Sequence, residues 1–203
     1  MRNIIVTNIH EMRTILFSLA VLTFVSCNQV VEQQQETVLQ PEKKEVIDPN
    51  YNPEAKLANL GIELTTPSAP VANYVNAVRA GNLIFLAGKG PLKADGENIT
   101  GKVGADLTIE EGYEAARVTG INQLSVLKAE LGNLNKVKRI VKVKGMVNCT
   151  PDFPDQPKVV NGYSDLMVAV FGERGKHARA AVGMGSLPSN IAIEVEMIVE
   201  VYD

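Results

Sequence analysis

The sequence has no tryptophan, and aromatic residues make up only 5% of its 203 residues. Aromatic rings on which single-stranded nucleic acids could stack their bases are therefore scarce. The formal net charge is −3, so no overall positive field attracts nucleic acid. Hydrophobic residues account for 45% of the chain and charged residues for 21%, which is the balance of a soluble globular protein.

Cysteine and histidine are also scarce, with two of each in the chain. Cys27 lies beside an N-terminal apolar run and Cys149 lies far from it, so no disulfide framework is expected. The histidines are His10 and His177, and removal of an N-terminal signal would leave one of them. A zinc site with several histidine ligands is therefore not expected.

The N-terminal apolar run, Thr14–Val25, has twelve residues, which is too short to span a bilayer comfortably. It follows the basic residue Arg13 and has the length of the apolar part of an export signal. Ser26 and Cys27 come directly after it, and a small residue before cysteine at this place resembles a bacterial lipoprotein signal. We therefore expect residues 1–27 to be a lipoprotein-type signal with Cys27 as the lipidation site. A plain secretory signal and a fortuitous apolar run are the alternatives.

This signal predicts an exported protein that a lipid anchors to a membrane, on the periplasmic side in a Gram-negative bacterium. If the signal is misinterpreted, the protein is cytoplasmic. Either Met1 or Met12 could be the true start. Residues 28–52 are rich in Gln, Glu, Lys and Pro and are predicted to form a flexible linker. Residues 53–203 then form the folded domain, with its core in residues 67–203.

The domain has strand and helix signals in the order β-β-α-β-α-β-β, after a short helical stretch at residues 54–61. Gly81-Asn82 predicts a hairpin turn between two strands. Thr108 and Glu111 form a capping box before a helical stripe that ends at Gly132. The predicted elements are strands at 74–78 and 83–87, a helix from 108 to 131, a strand at 141–147, a helix at 159–170, and strands at 178–184 and 191–201. Two helices can cover one face of such a sheet, so we expect copies of the chain to cover the other face.

Four stretches, in this order and spacing, resemble the Rid/YjgF family, which is also named endoribonuclease L-PSP. They are residues 73–78 running into 81–84, residues 87–91, residues 160–163, and residues 177–182 running through 187–188 to 194–196. The resemblance implies an α+β, chorismate-mutase-like fold and a homotrimer. The sheets would pack inward as a barrel with the helices outside, and three clefts would lie at the subunit interfaces. It also implies hydrolysis of reactive enamines and imines of 2-keto acids to the keto acid and ammonia. We therefore predict neither a metal ion nor an organic cofactor, because imine hydrolysis requires only oriented water and proton transfer.

The resemblance also implies roles for individual residues. Arg179 matches the arginine that holds the substrate carboxylate, and a guanidinium suits this role because it binds a carboxylate bidentately. Glu194 matches the acidic residue near the attacking water, where it could orient water or transfer a proton. The substrate-binding residues matched or flanking these stretches are Tyr74, Ala87, Gly88, Lys89, Asn161 and Ala181. The simpler alternative for Arg179 is a surface ion pair, and the simpler alternative for Glu194 is an exposed carboxylate on a strand.

Two of these positions differ from the usual family residue, because the family often has cysteine at Ala181 and glutamine at Lys89. Three other signals are set aside. Residues 96–103 nearly match a phosphate-binding loop, but Val103 replaces the hydroxyl residue that such a loop needs. Cys149 is interpreted as a small buried residue. The basic run at 136–144 is interpreted as a solvated face.

The sequence thus predicts an enzyme, an imine or enamine deaminase, whose partners are a small carboxylate-bearing substrate and copies of itself. Contact with a membrane would be through the lipid anchor alone, and no nucleic-acid partner is expected. A non-catalytic binding module for small carboxylate metabolites is the main alternative. An endoribonuclease, which the older family name suggests, is the third.

Overall fold

The computed structural model describes residues 48–202, which form α-helices and β-strands. They are α1 (Pro53–Asn59), β1 (Ala77–Ala80), β2 (Leu83–Lys89), α2 (Ile109–Leu131), β3 (Val137–Asn148), α3 (Gln156–Phe171), β4 (Ala178–Met184) and β5 (Ile193–Val201). The predicted α+β class and the order of elements are confirmed. The predicted signal with Cys27, and the linker up to residue 47, lie outside the described residues.

The strands form one mixed sheet in the order β1-β2-β5-β3-β4. Neighbouring strands are antiparallel except β3 and β4, which run parallel. A parallel pair needs a crossover connection, and α3 supplies it by carrying the chain from the end of β3 to the start of β4. This connection makes β4 an edge strand of the sheet.

The first hairpin closes on Gly81-Asn82 as predicted, with Ala80 paired to Leu83. The predicted start of its first strand at Tyr74 is wrong, because β1 begins only at Ala77. The chain before Ala77 is tied to the segment at Ser68 instead, because the Asn76 side chain donates to the Ser68 carbonyl (2.9 Å), while the Asn76 carbonyl still accepts from the Ala87 amide (3.0 Å). The second strand runs two residues further than predicted, to Lys89, because its other edge pairs with β5.

Helix α2 begins and ends where its capping residues predict. The amide of Glu111 donates to Thr108 Oγ1 (3.1 Å), and the Thr108 amide donates to Glu111 Oε2 (2.8 Å). The helix ends at Gly132, whose φ of 72° is left-handed and favours glycine. Leu124 and Leu127 on the predicted apolar stripe are fully buried against the sheet.

Both long helices cover the same face of the sheet, and two glycines allow them to come close. A Cβ atom at Gly145 of β3 would lie 2.6 Å from Val160 Cγ2 of α3. A Cβ atom at Gly162 of α3 would lie 2.0 Å from the Tyr113 carbonyl oxygen of α2. Contacts this close exclude any larger residue, so these two glycines set the distances between α3, the sheet and α2.

The other face of the sheet carries no helix within residues 48–202. Val78, Phe85 and Val182 project from it and are 55%, 42% and 39% exposed. Glu200 lies on the same face, where its carboxylate is 3.2 Å from Lys138 Nζ and 2.6 Å from Arg139 Nε. Two members of the basic run are thus ion-paired and do not form a free cationic surface. None of the helices in this part of the chain is long and apolar enough to cross a membrane.

Candidate active site

Arg179 lies on the edge strand β4, and two side chains of α3 hold its guanidinium. Nη1 of Arg179 donates to Asn161 Oδ1 (2.8 Å) and to Ser164 Oγ (3.0 Å). Asn161 and Ser164 are three residues apart, so they lie on the same side of the helix. Arg179 has no further hydrogen bond or ion pair within residues 48–202, which leaves Nε and Nη2 open. These two groups form the side of the guanidinium that binds a carboxylate bidentately.

His177 extends this group of side chains. Its Nδ1 lies 2.6 Å from the Gly175 carbonyl oxygen, and its Nε2 lies 3.0 Å from Ser164 Oγ. A carbonyl oxygen can only accept, so Nδ1 carries the proton and Nε2 of the neutral ring accepts from the Ser164 hydroxyl. Burial lowers the pKa of His177, the Gly175 bond opposes this shift, and the Arg179 charge adds to it. The neutral imidazole therefore orients Ser164, and Ser164 orients Arg179.

Glu194 lies on β5, on the face of the sheet that carries no helix, and its carboxyl group covers Gly88 at the end of β2. A Cβ atom at Gly88 would lie 2.0 Å from Glu194 Oε1, so only glycine leaves room for this carboxyl position. Burial raises the pKa of Glu194, Glu196 raises it further, and Lys144 opposes both. A carboxyl group with a raised pKa can donate a proton at a higher pH than an ordinary glutamate.

The remaining predicted residues divide between these two places. Ala181 lies two residues beyond Arg179, so it is on the same side of β4. The carbonyl oxygen of Ala87 accepts from Gln123 Nε2 (3.0 Å), which fixes the end of β2 near Glu194. Tyr74 and Lys89 line a cavity of about 260 Å³ beside Gly88.

Arg179 and Glu194 do not meet within one chain. Glu194 pairs with Met146, which pairs in turn with Val182, three residues beyond Arg179. Two strand spacings and three residues along a strand place the two Cα atoms roughly 14 Å apart. Their side chains also point to opposite faces of the sheet. Each chain therefore carries two separate groups of candidate residues, which we name the arginine half-site (Arg179, Asn161, Ser164 and His177) and the glutamate half-site (Glu194, Gly88 and Ala87).

Ser164 and His177 are functional candidates that the sequence interpretation did not include. The available signals were the three-residue spacing from Asn161 to Ser164 and the position of His177 two residues before Arg179. Neither spacing reveals that the helix and the strand bring these side chains together.

Two of the three signals that were set aside, the segment at residues 96–103 and Cys149, also have structural roles. Lys102, in the segment that nearly matches a phosphate-binding loop, donates to Asn148 Oδ1 (2.7 Å) and to the Gly185 carbonyl (2.6 Å). Its ammonium thus ties one loop to another. Cys149 is buried in the core, as interpreted. No group of three or more potential metal ligands occurs in the part of the chain that the structure describes.

Known proteins resemble this chain over the same domain. A family model described as "YjgF/chorismate_mutase-like, putative endoribonuclease" matches residues 54–201. Protein TCP17 of Trypanosoma cruzi is 45% identical over 147 residues, which cover 72% of this chain and 92% of that protein. A protein from Dermatophagoides farinae named 2-iminobutanoate/2-iminopropanoate deaminase is 29% identical over 139 residues, covering 67% of this chain and 93% of that protein.

Solved structures agree with the family match. The crystal structure of a protein of unknown function from Agrobacterium tumefaciens has a TM-score of 0.69 and 41% sequence identity, and the match covers 73% of this chain and 92% of that chain. Sequence and fold thus give the same result, and the chain belongs to the Rid/YjgF family, with its YjgF/chorismate-mutase-like domain over residues 54–201.

Proposed function

We propose that the protein hydrolyses imines and enamines of small 2-keto acids to the keto acid and ammonia. The observation that carries this proposal is the hydrogen bonding of the Arg179 guanidinium. Its Nη1 is fixed by Asn161 and Ser164, while Nε and Nη2 remain open to a carboxylate. The name of the Dermatophagoides farinae relative, a 2-iminobutanoate/2-iminopropanoate deaminase, supports the same chemistry.

The reaction needs both half-sites, so we propose that it occurs in clefts between copies of the chain. One copy contributes Arg179 and the neighbouring copy contributes Glu194. The exposed apolar side chains Val78, Phe85 and Val182 favour burial of the sheet face between copies. A homotrimer, with the sheets facing inward and the helices outward, is the assembly we propose.

The chemistry follows from the properties of the two groups. Arg179 binds the carboxylate next to the imine carbon. The protonated carboxyl group of Glu194 gives its proton to the imine nitrogen, which makes the carbon electrophilic. The resulting carboxylate then accepts a proton from the attacking water, so a carbinolamine forms. Return of that proton to the nitrogen makes ammonia the leaving group. As the C–N bond breaks, the Glu194 carboxylate takes the hydroxyl proton, which leaves the keto acid and restores the protonated Glu194.

The test uses an amino acid oxidase to generate the imine in situ, and follows keto acid formation with and without the protein. We expect the protein to accelerate hydrolysis and Arg179→Ala to abolish the acceleration. Arg179→Lys should restore little of it, because lysine lacks the two parallel N–H donors of a guanidinium. Arg117→Ala, a change on α2 away from both half-sites, is the matched control. Equal rates with and without the protein would overturn the proposal.

The binding module is the alternative. The export that the N-terminal signal predicts favours it, because such imines arise mainly in the cytoplasm, where pyridoxal enzymes release them. Calorimetry with 2-ketobutyrate beside the rate assay separates the two functions. Tight, Arg179-dependent binding without turnover would select the binding module. Cleavage of RNA that survives metal chelation and is lost in Arg179→Ala would select an endoribonuclease.

We also propose that the protein is exported and anchored by lipid on Cys27, from the apolar run that precedes this residue. Labelled palmitate should enter the native protein in bacterial cells but not Cys27→Ser. The native protein should also fractionate with membranes. Recovery of an unlabelled protein with its N-terminal residues intact would contradict this localisation.

A further inference from the structure

The cavity beside Gly88 has a positively charged side chain, Lys89, in its lining. It lies between the segment at residues 65–74, the end of β2 and one side of α2, and its volume is about 260 Å³. Its polar lining residues include Thr66, Ser68, Tyr74, Lys89, Asn122 and Ser125. Within residues 48–202 no carboxylate lines it, and Lys89 is the charged residue of the lining.

Lys89 is held in place but is not neutralised. Its Nζ donates to Asn76 Oδ1 (2.7 Å), and Asn76 is itself fixed by its bond to the Ser68 carbonyl. A lysine ammonium has three donors, and within residues 48–202 Asn76 takes one of them. No ion pair forms with Lys89 in this part of the chain. Burial lowers its pKa, and no neighbouring charge opposes that shift.

A half-buried ammonium without a counter-ion costs free energy that binding of an anion would recover. The rest of the cavity is prepared for a polar ligand. Asn122 Nδ2 donates to the carbonyls of Gly90 and Leu92 (both 3.0 Å), which fixes the loop after β2 against α2. Thr66, Ser68 and Tyr74 line the same cavity as Lys89, and their hydroxyls offer neutral hydrogen-bond donors to a ligand.

We propose that Lys89 binds a second anionic group of the substrate, so that the protein prefers imines of 2-keto acids with a short anionic side chain. This inference rests on the proposed function, because Gly88 both lines the cavity and lies against the Glu194 carboxyl group. Arg179 would hold the carboxylate next to the reacting carbon, and Lys89 would hold the distal carboxylate or phosphonate. A cavity of about 260 Å³ favours a short side chain over a long one.

The test measures binding of three keto acids to the purified protein by calorimetry. Oxaloacetate has a distal carboxylate, 3-phosphonopyruvate has a distal phosphonate, and 2-ketobutyrate has a methyl group at that place. We expect at least one of the two diacids to bind about tenfold more tightly than 2-ketobutyrate, the gain typical of a hydrogen bond to a charged group. The tighter diacid identifies the anionic group.

Variants of Lys89 make the inference specific. Lys89→Gln should bring the ratio of dissociation constants for diacid and 2-ketobutyrate close to one, and Lys89→Arg should keep most of the preference. Lys93→Gln is the matched control, because Lys93 is exposed and already paired with Asp95 at 2.9 Å. It should keep the full preference.

Two failures are distinguishable. If 2-ketobutyrate binds in an Arg179-dependent manner but the diacids bind no more tightly, the Lys89 inference is overturned and the proposed function stands. A diacid preference that persists in Lys89→Gln overturns the inference in the same way. If none of the keto acids binds and no imine is hydrolysed, the proposed function fails together with the inference.

Discussion

Gly88→Ala tests the glutamate half-site with a single methyl group. Gly88 has no left-handed backbone angle, so alanine fits its backbone without strain. The added Cβ would lie 2.0 Å from Glu194 Oε1 and 2.8 Å from Cδ, so the carboxyl group must move. These atoms are the far end of a flexible side chain, and another rotamer relieves the clash.

The expected stability and rate changes differ widely in size. Replacing glycine by alanine in a compatible conformation stabilises a protein by about 0.4–1 kcal/mol through the unfolded state. An unfavourable rotamer of Glu194 would cost about 0.5–1.5 kcal/mol, so the free energy of unfolding should change by less than about 1 kcal/mol. Loss of a positioned acid–base group should slow hydrolysis by about 10²–10⁴-fold.

The assay combines urea unfolding with imine hydrolysis in the oxidase-coupled system. Gly120→Ala is the matched control, because its Cβ would meet the tip of another flexible side chain, Leu166 Cδ2 at 2.9 Å, between the two helices. It should retain the native rate. Full activity in Gly88→Ala would refute the view that the Glu194 carboxyl group must cover Gly88. Unfolding of this variant would refute the stability reasoning.

Three further predictions concern the arginine half-site, the helix packing and the open sheet face. Because burial and Arg179 lower the pKa of His177, the unfolded chain takes up a proton at a higher pH than the folded chain does. Below about pH 6.5 both stability and keto acid affinity should therefore decrease, and calorimetry of His177→Gln should lack this acid step. Gly162→Ala should lose about 3 kcal/mol or more in urea unfolding, since its Cβ would lie 2.0 Å from the backbone oxygen of Tyr113; a stable variant would contradict the close approach of the helices. Phe85→Glu should yield a folded monomer by light scattering and circular dichroism, and that monomer should lack hydrolysis; a fully active monomer would refute the shared cleft.

Local sequence signals predicted most of the fold. The Thr108 and Glu111 capping box, Gly132 and the Gly81-Asn82 turn each specify a boundary by short-range hydrogen bonding or backbone conformation, so the structure follows them. The start of β1 was wrong because Asn76 bonds to Ser68, eight residues away, and strand propensity does not contain that contact. Boundaries that depend on distant side chains are the least accessible to sequence reasoning.

The candidate site was less accessible than the fold. The matched residues gave Arg179 and Glu194, but not their separation on opposite faces of the sheet, which follows from the strand order and register. Ser164 and His177 were missed because their contact joins α3 to the segment before β4. The parallel crossover creates that contact, and it leaves no periodic pattern in either segment.

The proposed division of the site between chains predicts that two inactive variants restore activity when they assemble together. Arg179→Ala keeps an intact Glu194, and Glu194→Gln keeps an intact Arg179. When equal amounts are unfolded together and refolded, random trimers should combine two native halves at about one cleft in four. A solution made from two inactive variants would then recover about a quarter of the native rate, whereas a site contained within one chain would recover none.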